Sequence, residues 1–173
     1  MGGFHAVVVD GDLEPDVLIR SVYGLGADAA LQPRGTSEFE HTAEDRTAGV
    51  GHVAGWTVLW GGFPESFGGV DEFPGLAQLS RERRLFRWAE ERVSGSVVLD
   101  YFADGMHLRN FWSVEGEVTE ADGPPLEGEP ESGFEEADQS EVDIWSIVAV
   151  LERYIAPWDT ISGAEYQMFS FGR

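Results

Sequence analysis

Apolar positions along this chain fall mostly into short runs of strand length, many alternating with polar residues, and only two stretches follow a helical period. Phe4 to Val9 is a Val-rich run of the first kind, followed by a turn at Asp10-Gly11-Asp12. Pro15 suits a helix start, with Asp12 or Glu14 as cap and Asp16 in the first turn. The spacing Val17, Leu18, Val22, Leu25 predicts a short amphipathic helix ending near Gly24 or Gly26. Residues 31–47, with Pro33, Gly35 and mixed charge, predict a loop or a weak edge strand. Val50–Val53 and Trp56–Trp60 predict a hairpin turning at Ala54-Gly55. Gly61 to Gly75 is a loop rich in Gly, Phe and Pro, leading to a helical turn at 75–79.

The clearest pattern runs from Arg83 to Val118. Arg84–Glu91, Ser96–Phe102 and His107–Val118 each predict a strand, and Asp104-Gly105 supplies a hairpin signal between the last two. Residues 115–143 hold twelve acidic residues and no basic one, with Gly123-Pro124-Pro125 and Glu129-Pro130-Glu131 inside, which predicts a loop excursion. Ser140-Glu141-Val142-Asp143 resembles a capping box with Asp143 at its fourth position. The helix it opens would present Ile144, Trp145, Val148, Leu151 and Ile155 on one face and stop before Pro157. Tyr166–Phe171 predicts a closing strand. Together these elements predict one α+β domain over residues 1–173: an antiparallel β-meander sheet with an N-terminal and a C-terminal helix packed on it.

Composition adds that the chain can fold without staples. Its 173 residues are 42% hydrophobic and include six Trp, enough for one substantial core. There is no cysteine, which removes disulfides and thiolate chemistry and fits a reducing cytoplasm. The start MGGFHAVVVDGD lacks a basic region and an apolar stretch, and no apolar run approaches the roughly 20 residues of a membrane helix. A cytoplasmic location is therefore expected.

Charge changes the picture most. Thirty-two acidic against eleven basic residues give −21, and every basic residue is Arg. Such a charge opposes direct binding to nucleic acid or anionic membranes and favours cationic partners. Solubility alone is the competing explanation.

Candidate chemistry is sparse. Asp10-Gly11-Asp12-Leu13-Glu14 alternates oxygen donors, but Pro15 stands where a calcium loop needs Gly. The Gly pairs at 61–62 and 68–69 lack the Lys of a phosphate loop and read better as a mobile loop carrying Phe63 and Phe67. His5, His41, His52 and His107 are never at metal-pair spacing, which leaves only a site assembled in space from His52, His107 and carboxylates. Arg81, Arg83, Arg84, Arg87 and Arg92 form either an anion patch or cross-strand partners for Glu90, Glu91, Asp100 and Glu115.

The run from Val50 to Val58, the segment Ser94 to Gly105 and the stretch Leu108 to Gly116 resemble small acidic bacterial single-domain proteins, actinobacterial in type, of the polymorphic-toxin immunity kind. The resemblance covers about residues 48–155 and brings no active-site motif. It implies a non-enzymatic inhibitor of a basic partner, a toxin or a nucleic-acid-acting enzyme, with no cofactor and no metal. Glu115, Glu117, Glu120, Asp122, Glu127, Glu129 and Glu131 would steer and hold that partner, and Trp112 or Phe134 would anchor it. The alternative is a hydrolytic or small-molecule site between the sheet and the C-terminal helix, built from Trp56, Trp60, His107 and Arg109.

Overall fold

The run Ala6-Val7-Val8-Val9 has no polar position because it is a central strand covered on both faces, and all four residues are fully buried. It belongs to β1 (Gly3–Asp10) in a computed structural model that describes residues 3–39, 46–62, 75–130, 133–134 and 142–172. On one side β1 pairs with β4 (Trp56–Gly61), and beyond it lie β3 (Thr47–Val53), β9 (Tyr166–Phe171) and β2 (Leu31–Ser37). On the other side follow β5 (Arg84–Glu91), β6 (Ser96–Ala103), β7 (Met106–Val114) and β8 (Glu117–Asp122). The sheet has nine strands in the order β2-β9-β3-β4-β1-β5-β6-β7-β8, and each of these pairings is antiparallel.

Alternation sorts the side chains into two cores. Ala6, Val8, Trp60, Phe86, Trp88, Leu99 and Phe111 pack beneath α3 (Ile144–Tyr154) and α4 (Trp158–Ser162), which contribute Ile147, Val150, Leu151 and Ile161. Val7, Val9, Leu59, Leu85 and Phe102 face the other way, against Leu18, Ile19 and Val22 of α1 (Pro15–Tyr23) and Leu76 and Leu79 of α2 (Leu76–Leu79). Pro15 opens α1, and Gly24 closes it in the left-handed region with φ of 62°.

The class is α+β in its coarse form, a mostly antiparallel sheet with few helices, but several expectations need correction. A run of consecutive strands spans only β5 to β8, with β3 and β4 as a separate hairpin; β1 lies between β4 and β5, and β9 between β2 and β3. Of the two readings for residues 31–47, loop or weak edge strand, the second holds for 31–37, an edge strand with a register break between Pro33 and Gly35. The segment 107–118 is two strands, because Glu115 and Gly116 both have positive φ (51° and 82°) and make a two-residue hairpin turn. Asp143 is the cap of α3, its carboxylate accepting from the Trp145 and Ser146 amides, so the helix starts later than the Ser140 pattern suggests. Val148 and Leu151 are buried as expected, joined by Ile147 and Val150, but Trp145 is 58% exposed and does not belong to the buried face. Ser140 itself lies outside the described residues.

Candidate functional site: an acidic sheet edge over a buried ion pair

Strand β8 ends the sheet, and among the described residues only β7 pairs with it. Its register matches Glu117 with Val114, Glu120 with Trp112 and Asp122 with Asn110, while Val118 and Ala121 lie opposite Ser113 and Phe111. The register slips between Trp112 and Ser113, which leaves Thr119 as an extra residue; its hydroxyl donates to the Trp112 carbonyl. Glu117, Glu120 and Asp122 therefore share one face with Trp112, and all three are exposed. Val118 and Ala121 turn to the other face and pack partly buried against the core beneath α3.

Beyond β8 the chain is held from inside. Arg109 on β7 reaches Glu129 with two parallel bonds, Nε to Oε1 at 3.0 Å and Nη2 to Oε2 at 2.7 Å, and neither side chain is exposed. The third nitrogen, Nη1, donates to the Gly123 carbonyl at 3.0 Å. Glu129 in turn accepts from the amides of Leu126 and Phe134. The fork thus ties the end of β8 and the segment after it to β7. Two close approaches complete the clamp. A Cβ on Gly123 (φ +83°) would lie 1.9 Å from the Leu108 carbonyl oxygen, and one on Gly128 (φ +101°) would press on the Val150 Cα at 3.0 Å. The Tyr154 hydroxyl accepts from the Glu127 amide, fastening the same segment to α3.

The expected partner-binding residues thus divide. Glu115, Glu117, Glu120, Asp122 and Glu127 are exposed along the edge and its continuation, and Trp112 is half-buried beside them. Glu129 is enclosed in its pair with Arg109, and Phe134 is 2% exposed against Phe111 at 4.8 Å between ring centroids. Both work from inside the fold, where a partner does not reach them. Glu131, like Phe63 and Phe67, lies outside the described residues. Residues 119–122, expected in a loop, are sheet.

A second buried charge cluster sits on the opposite face. Asp100 on β6 is fully buried and accepts from Arg87 (3.0 Å), His107 (3.0 Å) and Asn110 (2.9 Å). Nearby, His5 is buried against Tyr23; burial first, then the Arg87 charge, push its pKa down to about 3. The remaining arginines of the 81–92 cluster disperse: Arg84 takes the Asp10 carboxylate and lies over Trp56, and Arg92 reaches Glu90.

The four side chains of the alternative site do not converge. Trp56 and Trp60 are core residues at 4% and 1% exposure, and Arg109 is closed on Glu129. His107 pairs in register with Phe102 and stacks on it at 4.4 Å, on the α1 side of the sheet. His52 and His107 stand five strand spacings apart, roughly 24 Å, too far to share a metal. Among the described residues no group of His, Asp and Glu could hold one, and no helix is long and apolar enough to cross a membrane. A shallow, open depression of about 440 Å³ lies between Pro15, Thr36, His52, Glu165 and Gln167. His52 there leans on Asp12 at 3.1 Å, and Glu165 meets Thr36.

Sequence reasoning missed two features. Trp145 is a large exposed aromatic near the acidic segment; its pairing with Asp143 as cap was the available signal. The Arg109–Glu129 pair had one too, since Arg109 is the only basic residue between Arg92 and Arg153. Comparison with known protein families, characterised proteins and solved structures finds no match to the chain.

Proposed function

We propose that the protein is a non-enzymatic binding protein that lays its acidic edge into the basic site of a partner and blocks it. This is the role of an immunity or inhibitor protein toward a basic toxin or a nucleic-acid-acting enzyme. One observation carries the reading: Glu117, Glu120 and Asp122 stand in a row on one face of β8 beside Trp112, on a strand whose continuation is clamped by a buried ion pair. Carboxylates held on a rigid strand lose little freedom on docking, and their field speeds encounter with a cationic surface. Glu115, exposed in the turn before β8, adds a carboxylate at the start of the row, and Trp112 supplies the apolar contact within it.

The test is a pull-down with tagged protein at low salt, followed by a graded salt wash and kinetics on what is retained. The expected result is one basic protein held in stoichiometric amount, inhibited by the complex and released by salt. The triple variant E117Q/E120Q/D122N should associate at least tenfold more slowly at low salt, with the difference closing as salt rises. Equal association rates for the variant and the parent at every salt concentration would overturn the electrostatic reading.

A further inference from the structure

The acidic row lies on a strand that, among the described residues, has no partner on its outer side, and that geometry specifies more than charge. An edge strand presents a line of backbone N–H and C=O groups ready to pair with another strand. Proteins usually blunt such an edge with charge, bulges or Pro. Strand β8 has the first two, the carboxylates and the extra residue at Thr119, but no Pro between Glu117 and Asp122.

Like charge excludes a second copy of the same strand. Between Arg109, already neutralised by Glu129, and Arg153 there is no basic residue, so the edge repels its own kind and attracts a cationic one. The two faces of β8 then dictate what an added strand must carry. On the face of Glu117, Glu120 and Asp122 its side chains would meet carboxylates. On the other face they would continue the partly buried surface of Val118 and Ala121, which already belongs to the core beneath α3.

We infer that β8 receives an extended segment of the partner as a tenth strand, with Arg or Lys alternating with apolar residues over about six positions. This rests on the acidic-edge reading above and sharpens it: the partner offers a basic strand rather than only a basic surface. Main-chain pairing supplies affinity, and the alternation supplies selectivity.

The probe is a synthetic peptide of alternating Arg and Val, eight residues long with capped ends. Its controls are a peptide of the same composition with the Arg and Val in separate blocks, and two versions N-methylated at every second residue, one set on each backbone edge. The expected result is that the alternating peptide binds and slows hydrogen exchange at amides within Glu117–Asp122. N-methylation of one edge should weaken binding at least tenfold, and N-methylation of the other should leave it unchanged. If the block peptide and both methylated peptides bind as well as the alternating one and no β8 amide is protected, strand addition is wrong, although the electrostatic reading stands. If E117Q/E120Q/D122N binds the alternating peptide as tightly as the parent, with the same amides protected, pairing is right and the electrostatic reading fails.

Discussion

At the scale of single residues, the fold holds polar groups in places that make them sensitive to pH. His5 stays neutral inside because burial and the Arg87 charge lower its pKa to about 3, whereas in the unfolded chain it titrates near 6.5. Below about pH 6.5 the unfolded chain binds a proton that the folded one refuses. The stability is therefore complete above that pH and drains away as the pH falls toward 3. The variant H5Q should show a shallower fall in its urea midpoint between pH 6.5 and 4 than the parent; parallel curves would assign the acid sensitivity to other groups. Tyr166 has the opposite sign. Its hydroxyl donates to the Ile161 carbonyl at 2.7 Å and burial holds its pKa well above 10, so its contribution is present below pH 10 and lost above. Y166F should lower stability by about 1 kcal/mol in equilibrium unfolding at pH 7. Neither role was legible locally. His5 reads as one histidine in an apolar run, and only the packing of β1 under α1 and beside Arg87 gives it a buried environment.

Among the elements, the segment after β8 depends most on a single interaction. Removing one partner of a buried, bidentate pair leaves an uncompensated charge, so R109M should destabilise the protein by about 3–5 kcal/mol. It should also expose the amides of Leu126 and Phe134 to exchange. The double variant R109M/E129L removes both charges and should recover most of that loss in a denaturant titration; no recovery would mean that the pair contributes through its backbone bonds to Gly123, Leu126 and Phe134 rather than through charge. Legibility at this scale followed turn chemistry. Ala54-Gly55 and Asp104-Gly105 stand where sequence expects hairpin turns, each with both φ values positive. Glu115-Gly116 adopts the same geometry but escaped notice, because Glu is uncommon at the first position of such a turn and the residues on both sides keep a strand pattern. The missed turn hid β8 itself, and with it the difference between an acidic loop and an acidic edge.

Across the whole molecule, the excess of 21 negative charges works against compactness. Raising NaCl from about 10 mM to about 0.5 M shortens the screening length several-fold and should raise the melting temperature by a few degrees. A temperature independent of salt would mean that the charges are already balanced locally by pairs such as Arg84–Asp10. The α+β class was legible from strand-length runs and two helical stretches, but the sheet order was not. Strand β9 pairs with β2 across more than 130 residues of sequence, as in Arg34 to Ser170, and periodicity carries no information over that distance. The two ends of the sheet are also unlike. Both edge strands carry a register break, but on β2 Pro33 also withholds a donor, whereas β8 has no Pro behind its carboxylates. A growing β-assembly needs two compatible ends, and on the strand-addition reading this sheet would offer one, reserved for the opposite charge. With strand addition at β8 as inferred above, the molecule would have a valence of one: each copy would accept a single strand and then terminate the stack.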